Sequence, residues 1–474
     1  MSLHLGIDVG TTKIAALVLD AETGRCPAVE EVANDARLPA APGRSEWSAE
    51  RLVAAAIAAA RGALARVDAR RVAGVGVTGQ MHGVVLVGRG LRPLGPFVGW
   101  QDERCNGPGG GHPSTIAWMT TLADPAALDA TGCRLAAGFL GATLFWLSHH
   151  GGLPSGVTAA FIPDYLVARL VDRPPVADPT DAAGSGLFDV VAGRWSESLL
   201  ASLGLPRSVL PEVLPTGAVV GKLARASAAA LGLRPGLPVT NALGDNQASF
   251  LGSVGEPERD VLVNVGTGGQ VSATTESFVR PGAIETRPYL GGSYLLVGAE
   301  LAGGSAYALL ADFVRRVGSD VLGVEASVDV YAALGRLAAA VPPGSDGVRC
   351  DPRFLGTRSD PGRRGGFSGL SPDTFGPGHL ARALLEGVAD TYFGLYGEML
   401  GAGLRRRSRL VGSGNGVRRN RLLAEILAGR FGLPVARPWQ LEEAALGAAM
   451  VSAVGVGELD GFGSAGRLVA YDGA

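Results

Sequence analysis

One carboxylate stands among small and amide side chains near the middle of the chain. Asp245 follows Gly244 and precedes Asn246 and Gln247. A glycine before a carboxylate lets a ligand approach closely, and the two amides can hydrogen-bond a polyhydroxylated molecule or orient the carboxylate. We therefore take Asp245 as a candidate general base, which would remove a proton from a substrate hydroxyl. An ordinary turn is the alternative, because Gly, Asp and Asn are also residues that favour turns.

A short polar loop near the N-terminus has the residue types that bind phosphate. Gly10, Thr11, Thr12 and Lys13 lie between two stretches of alternating apolar residues, which predict a strand, a tight loop and a second strand. The backbone N–H groups, the two hydroxyls and the lysine cation can surround phosphate oxygens, and Asp8 beside them can hold Mg²⁺ through water. A plain hairpin turn is the alternative.

The same pattern returns about half a chain later, at Gly266 and Thr267. Aligning the two loops places Asp8 on Asn264, so only the first copy keeps the carboxylate. Such an internal echo predicts two similarly built domains that face each other, each supplying a phosphate loop to a shared cleft. One metal-binding carboxylate between two phosphate loops would suit a nucleotide with its Mg²⁺.

Two further groups are suited to a sugar. Met81 and His82 stand between glycines at the end of a predicted strand, and ligands commonly bind at strand ends in α/β folds. Trp100 can pack its face on the C–H side of a sugar, and Asp102 can accept hydrogen bonds from hydroxyls. A structural histidine and a partly buried tryptophan beside a solvated charge cluster are the alternatives.

Two glycine-rich stretches in the second half are candidates for a nucleotide site. Gly303 and Gly304 precede a predicted helix, whose first N–H groups would be open to a phosphate or ribose. Gly414 and Asn415 lie in a turn between a strand end and a helix opening that continues to Asn420. A base could lie flat on such a turn, because glycine presents no side chain. The alternatives are a simple helix N-cap at the first stretch and a tight strand-to-helix connection at the second.

Size and charge narrow the class of protein. The 474 residues, 47% of them hydrophobic and 18% charged, predict a globular protein of two to four domains. The formal net charge of −2 gives no reason to expect nucleic acid or an anionic membrane as partner. Prolines accumulate between residues 206 and 238, and we predict the domain boundary near residue 240, with domains at 1–240 and 241–474.

The cysteines and the apolar stretches indicate in which cellular compartment the protein is expected. The four cysteines, Cys26, Cys105, Cys133 and Cys350, show no paired spacing, which predicts free thiols in a reducing compartment. No basic and apolar leader precedes Leu5, and no run of about 18 apolar residues is free of charge or glycine. We expect a cytoplasmic protein with no membrane partner.

Seven short motifs mark these places along the chain. They read Gly-Ile-Asp-Val-Gly-Thr-Thr at 6–12, Gly-Gln-Met-His-Gly at 79–83, Trp-Gln-Asp at 100–102, Gly-Asp-Asn at 244–246, Asn-Val-Gly-Thr-Gly at 264–268, Gly-Ser-Gly-Asn-Gly at 412–416 and Glu-Ala-Ala-Leu-Gly-Ala-Ala at 443–449. In this order they resemble the FGGY family of carbohydrate kinases over nearly the whole chain.

The resemblance implies an α/β fold of two actin-like, ribonuclease-H-like domains of the sugar kinase superfamily, flanking a catalytic cleft that holds ATP, Mg²⁺ and a sugar. It implies sugar and phosphate binding in the first domain, and nucleotide binding and the catalytic base in the second. By motif, the implied roles are Asp245 as base, Asp8 and Asp245 at the metal, Gly10, Thr11, Thr12, Lys13, Gly266 and Thr267 at the phosphates, Gly303, Gly304, Gly414, Asn415 and Asn420 along the nucleotide, and Met81, His82, Trp100, Asp102 and Asn246 facing the sugar.

The substrate implied by the resemblance is a ketose, phosphorylated on a terminal hydroxyl. The sequences at 100–102, Trp-Gln-Asp, and at 141–146, Gly-Ala-Thr-Leu-Phe-Trp, are similar to those of family members that act on a seven-carbon ketose. A pentulose stays open, because Met-His and Trp-x-Asp also occur in kinases of five-carbon ketoses. A catalytically silent sugar-binding protein and an actin-like ATPase are the alternatives outside this reaction, and a homodimer is left open.

Overall fold

A computed structural model describes residues 2–280, 282–324, 328–357, 360 and 362–472, and within them two large mixed sheets organise the chain. The strands of the first sheet are β1 (Leu3–Val9), β2 (Lys13–Asp20), β3 (Ala28–Ala33), β4 (Val72–Gly79), β5 (Val219–Lys222), β6 (Pro238–Thr240) and β7 (Leu243–Gly244). Those of the second are β8 (Asp260–Val265), β9 (Gly269–Thr275), β10 (Glu285–Pro288), β11 (Tyr294–Glu300), β12 (Arg409–Ser413) and β13 (Val435–Ala436).

The two sheets repeat one arrangement. In the first, β1 is antiparallel to β2, and β4 lies parallel on the other side of β1. In the second, β8 is antiparallel to β9, and β12 lies parallel on the other side of β8. The predicted internal echo is thus a repeated β-sheet unit, and the expected two-lobed α/β fold is confirmed.

Helices cover both sheets. They are α1 (Ala49–Leu64), α2 (Thr115–Leu122), α3 (Pro125–Asp129), α4 (Leu140–His149), α5 (Ile162–Val171), α6 (Pro179–Ala183), α7 (Glu197–Ser202), α8 (Arg225–Leu231), α9 (Asp245–Ser253), α10 (Gly304–Arg316), α11 (Val330–Ala340), α12 (Pro377–Gly401), α13 (Gly414–Arg419), α14 (Arg421–Phe431), α15 (Glu443–Gly455) and α16 (Phe462–Gly466). Short strand pairs outside the sheets lie at Glu46–Trp47, Val85–Val87, Phe97–Val98, Thr158–Ala160, Val176–Ala177, Phe188–Asp189, Arg194–Trp195, Glu212–Val213, Arg349–Asp351 and Gly366–Ser368.

The first sheet ends at Gly244 and the second begins at Asp260, and the domain boundary near residue 240 stays a prediction. β7 pairs in parallel with the end of β4, Leu243 beside Thr78 and Gly244 beside Gly79. The second sheet begins only at Asp260. Helix α9 therefore connects the two lobes, and its first residue is Asp245.

The last long helix returns to the first lobe. α15 lies so close to β1 and β4 that a Cβ on Gly6 would stand 1.9 Å from the carbonyl oxygen of Ala445, and one on Gly76 would stand 1.9 Å from that of Ala448. Only glycine permits such an approach of helix backbone to strand. The two lobes are consequently joined by chain from both ends of the protein.

Each lobe has its own hydrophobic core. Leu5, Val77 and Tyr165 belong to the first, and Val263, Tyr392 and Phe431 to the second. A third buried cluster fills the segment between β4 and β5, and a fourth lies where the lobes meet. In the described part of the chain no helix combines the length and apolar character needed to cross a membrane, and all four cysteines are free thiols, as predicted.

Candidate active site

Asp245 opens α9 at the edge where β4 and β7 end. Its Oδ1 accepts the backbone N–H of Asn246 at 2.8 Å, and its carboxylate also receives the backbone N–H of Met81. Burial raises the pKa of Asp245 to about 6, against the lowering effect of these N–H groups and of the Arg287 guanidinium. A carboxylate in this state is ionised at neutral pH and is a competent proton acceptor.

Asp8 lies on β1, beside Thr78 of β4. Its Oδ1 is buried and has no hydrogen-bond partner among the described residues. Burial, followed by the negative charge of Asp245, raises the pKa of Asp8 to about 8, and the Glu442 carboxylate adds to this while Lys13 opposes it. The first lobe therefore presents an under-coordinated carboxylate toward the base, the kind of group that a cation would satisfy.

Met81 and His82 come directly after β4, as predicted from the strand-end position. Nδ1 of His82 donates to the carbonyl oxygen of Gly184 at 2.7 Å, and the ring stacks on Phe139 with centroids 4.2 Å apart. Met81 is buried. Because its N–H reaches Asp245, this pair lies next to the candidate base.

Trp100 and Asp102 occupy different environments. Trp100 is 43% exposed, and its Nε1 donates to Oγ1 of Thr11 at 3.0 Å, which places the indole beside the first phosphate loop. Asp102 is 1% exposed and accepts the backbone N–H of Ser45 at 2.8 Å and the guanidinium of Arg104 at 2.6 Å. The contact of Asp102 with a sugar stays a prediction. In the structure its carboxylate anchors the loop that carries Trp100, through Ser45 and Arg104.

Asn246 connects the base to the second sheet. Its Oδ1 accepts Nε2 of Gln270 at 2.9 Å, and Gln270 lies on β9 directly after the second loop. The amide next to the candidate base is therefore oriented from the other lobe. Its predicted contact with the sugar stays a prediction.

The first phosphate loop is a tight turn. A Cβ on Gly10 would stand 2.7 Å from the carbonyl oxygen of Lys13. Nζ of Lys13 lies 2.6 Å from Glu442 Oε1 and 3.0 Å from Glu31 Oε2, so its charge is neutralised by two carboxylates. The phosphate contacts predicted for Gly10, Thr11, Thr12 and Lys13 stay predictions, and Lys13 would have to exchange carboxylates for phosphate oxygens.

The second loop is joined to the start of α10. The N–H of Gly304 donates to the carbonyl oxygen of Gly266 at 2.8 Å, and that of Ser305 to Thr267 at 2.9 Å. A Cβ on Gly303 would stand 2.3 Å from the carbonyl oxygen of Gly268. The sequence-predicted pieces Gly266, Thr267, Gly303 and Gly304 thus form one compact unit.

The third glycine-rich stretch also adjoins that sheet. Gly414 has φ +78°, and a Cβ there would stand 2.6 Å from the carbonyl oxygen of Val265. Asn415 follows in α13, whereas Asn420 caps α14 by accepting the N–H of Leu423 at 3.1 Å. The fold therefore gathers Gly414 and Asn415 beside the second loop, and their nucleotide contacts remain predictions.

Two features of the site were missed from sequence. α6 supports both the candidate base and the Met81–His82 pair, because Thr180 Oγ1 accepts the N–H of Gly244 at 2.9 Å while the carbonyl oxygen of Gly184, which follows α6, accepts Nδ1 of His82. Arg287 of β10 reaches Met81 from the second lobe. The only sequence signal was Glu285 two residues before Arg287, a spacing that puts both on one face of a strand.

These features together point to one class of protein. The candidate base and an under-coordinated carboxylate accompany two repeated glycine- and threonine-containing loops, a combination that suits phosphoryl transfer.

Family models agree with this class and name it. Residues 3–252 match the N-terminal domain of the FGGY family of carbohydrate kinases, and residues 261–456 match its C-terminal domain. The chain belongs to the FGGY family of carbohydrate kinases, and it is a sugar kinase.

Individual relatives act on different substrates. The chain is 30% identical to human (Homo sapiens) sedoheptulokinase, over 95% of this chain and 97% of that protein. It is 31% identical to glycerol kinase of Aromatoleum aromaticum, over 97% and 91% respectively. Among solved structures, xylulose kinase from Rhodospirillum rubrum superposes with a TM-score of 0.87 at 28% identity, covering 99% of this chain and 93% of that one.

Proposed function

We propose that the protein transfers the γ-phosphoryl group of ATP to a terminal hydroxyl of sedoheptulose, giving sedoheptulose 7-phosphate, with Asp245 as the general base. The observation that carries this proposal is the placement of Asp245 at the edge of the cleft, with Met81 and Asp8 beside it. The pKa of about 6 suits a base that must be ionised at neutral pH and still accept a proton.

The chemistry follows from that placement. The terminal hydroxyl gives its proton to the Asp245 carboxylate while its oxygen attacks the γ-phosphorus. The new O–P bond forms as the bond from the γ-phosphorus to the bridging oxygen breaks, and ADP leaves with that electron pair. Transfer of this kind depends mainly on positioning and charge neutralisation, which the repeated loops would supply through their backbone N–H groups.

The residues present fit a magnesium ion. Asp8 Oδ1 is the buried oxygen without a partner described above. In the described part of the chain no group of three or more metal-ligating side chains lies close enough to hold a metal by itself. This agrees with Mg²⁺, which commonly binds one or two carboxylates together with phosphates and water. Asp8 and Asp245 would hold the ion, which would neutralise phosphate charge.

The choice of sugar is supported by similarity to sedoheptulokinases, at 29% and 30% identity over most of the chain. A five-carbon ketose is the second candidate, because the Met81–His82 pair accompanies an overall likeness to a xylulose kinase structure at a TM-score of 0.87. Both candidates use the same base and the same phosphate loops. Only the fit of the sugar body distinguishes them.

A substrate panel tests the proposal. ADP release is measured with ATP and Mg²⁺ on sedoheptulose, xylulose, ribulose, fructose and glycerol, with the Asp245→Asn variant in parallel. We expect sedoheptulose to give the highest kcat/KM and the variant to lose turnover while still binding sugar, because the amide keeps the shape but cannot accept the proton. A xylulose preference would favour the second candidate, and no turnover of any sugar would contradict the proposal.

A further inference from the structure

Arg287 is a buried cation that the reaction outlined above does not use. It is 3% exposed and lies on β10 at the edge of the second sheet. The strand is fixed against the first lobe, because the N–H of Thr286 donates to the carbonyl oxygen of Gly132 at 2.8 Å. Gly132 has φ +70°, and a Cβ there would stand 1.9 Å from the carbonyl oxygen of Thr286. Arg287 is thus held in place at a close contact between lobes.

One edge of the guanidinium is already occupied. Nε and Nη2 both donate to Oε2 of Glu285, at 3.1 Å and 2.6 Å. Such a fork fixes the plane of the group. The remaining nitrogen, Nη1, therefore points away from Glu285 in a defined direction.

Nη1 has a poor partner. Its hydrogen bond within the described residues is to the thioether sulfur of Met81, at 3.9 Å, and a thioether is a weak acceptor. Buried donors of a charged group are normally satisfied by oxygen. A guanidinium nitrogen held in this way is ready to donate to an oxygen that arrives with a ligand.

Met81 places that donor at the reaction site. Its backbone N–H donates to the Asp245 carboxylate, while its sulfur contacts Nη1 of Arg287. The cation is also near enough to Asp245 to attract its negative charge. When the terminal hydroxyl of a substrate reaches Asp245, oxygens on the other carbons of the same substrate would therefore come within reach of Nη1.

We propose that Arg287 is a specificity-determining residue, donating from Nη1 to an oxygen on the body of the bound ketose, away from the hydroxyl that Asp245 deprotonates. This inference rests on the proposed function and assigns one of its sugar contacts. It also gives the second lobe a part in recognising the sugar, and not only the nucleotide.

The test compares sugars that lack one oxygen at a time. Wild type and Arg287→Met are assayed on the ketose that the wild type uses best and on its singly deoxygenated analogues. We expect Arg287→Met to lower kcat/KM for the parent sugar about 10- to 100-fold, the usual effect of losing a charge-assisted hydrogen bond. For one analogue, the one that lacks the acceptor, wild type and variant should be nearly equal.

Two controls separate recognition from folding. Glu285→Gln combined with Arg287→Met removes both charges of this ion pair, and it should show the same dependence on the sugar. Arg280→Met removes another arginine that bridges the lobes, through the carbonyl oxygen of Cys133 at 3.1 Å, and should leave the analogue pattern unchanged.

The outcomes separate the two proposals. If the wild type phosphorylates a ketose but Arg287→Met loses the same factor on every analogue, Arg287 is a structural residue and this inference is overturned while the proposed function stands. If the wild type phosphorylates no ketose, the proposed function itself has failed.

Discussion

At the scale of single residues, the site depends on how burial and neighbouring charge act on two carboxyl groups. Burial raises the pKa values of both Asp8 and Asp245. Asp245 is less affected because three backbone N–H groups, those of Asn246, Asp245 and Met81, and the Arg287 guanidinium stabilise its ionised form. Asp8 has neither, and Asp245 and Glu442 repel its charge. The two groups therefore differ in the way that the proposed roles require, Asp245 as the base and Asp8 as a cation ligand.

The pH dependence of catalysis follows from the Asp245 carboxylate. Below its pKa the group is protonated and cannot accept the hydroxyl proton, so kcat/KM should fall on the acid side with an apparent pKa of about 6. The profile should be measured at saturating Mg²⁺, because a cation favours ionised Asp8. An acid limb near pH 4, the value of an ordinary aspartate, would show that burial does not control this group.

At the scale of elements, the short helix α6 positions the backbone before Asp245 relative to the Met81–His82 pair. Thr180 Oγ1 accepts the backbone N–H of Gly244, just before Asp245, and donates its own hydrogen bond to Asp178 Oδ1 at 2.7 Å. Asp178 Oδ2 in turn accepts Nδ2 of Asn241 at 3.0 Å. On the other side, a Cβ on Gly184 would stand 2.1 Å from the carbonyl oxygen of Met81. α6 therefore acts as a fixed spacer.

A pair of substitutions at Thr180 tests this spacer. Thr180→Val keeps the shape but leaves the N–H of Gly244 without its acceptor, so we expect kcat to fall by about tenfold or more with KM little changed. Thr180→Ser restores the hydroxyl and should recover most of kcat. If the valine variant only melts at a lower temperature and keeps its kcat, α6 contributes stability alone.

At the scale of the whole molecule, the two halves of the chain are interlocked. α15 comes from the end of the sequence, yet it packs on β1 and β4 of the first sheet and crosses α9, where a Cβ on Gly447 would stand 2.1 Å from the carbonyl oxygen of Ala248. Arg287 and Thr286 add contacts from the second lobe to the first. Stability of the first lobe must therefore depend on the C-terminal segment.

Two glycine-to-alanine changes measure this dependence. Gly76→Ala puts a methyl group where the Ala448 carbonyl stands 1.9 Å away, and we expect a loss of about 1–3 kcal/mol in the free energy of unfolding. Gly335→Ala is the matched control in α11, where a Cβ meets no atom within 4 Å among the described residues. It should be neutral or stabilising, by up to about 1 kcal/mol. Equal unfolding midpoints in denaturant would contradict the close packing of α15.

Local pattern was enough to predict the two-lobed fold and several of its parts. Alternating apolar residues around Gly10 and Gly266 predicted β1, β2, β8 and β9, because a strand exposes its two faces in turn. The repeated loop predicted the repeated sheet. Met81 and His82 do follow a strand end, as predicted, and Met81 lies next to Asp245.

Only the tertiary structure decided what these side chains contact. Lys13 meets Glu442 across 429 positions of sequence, and Arg287 meets Met81 across 206; neither pairing has a periodic signature along the chain. Asp102 likewise binds Ser45 and Arg104 below the Trp100 loop. Periodicity reports which face of an element is buried, whereas partners are set by how elements pack. The sequence by itself therefore determined the class of fold and the candidate base, and packing decided the charges that surround that base.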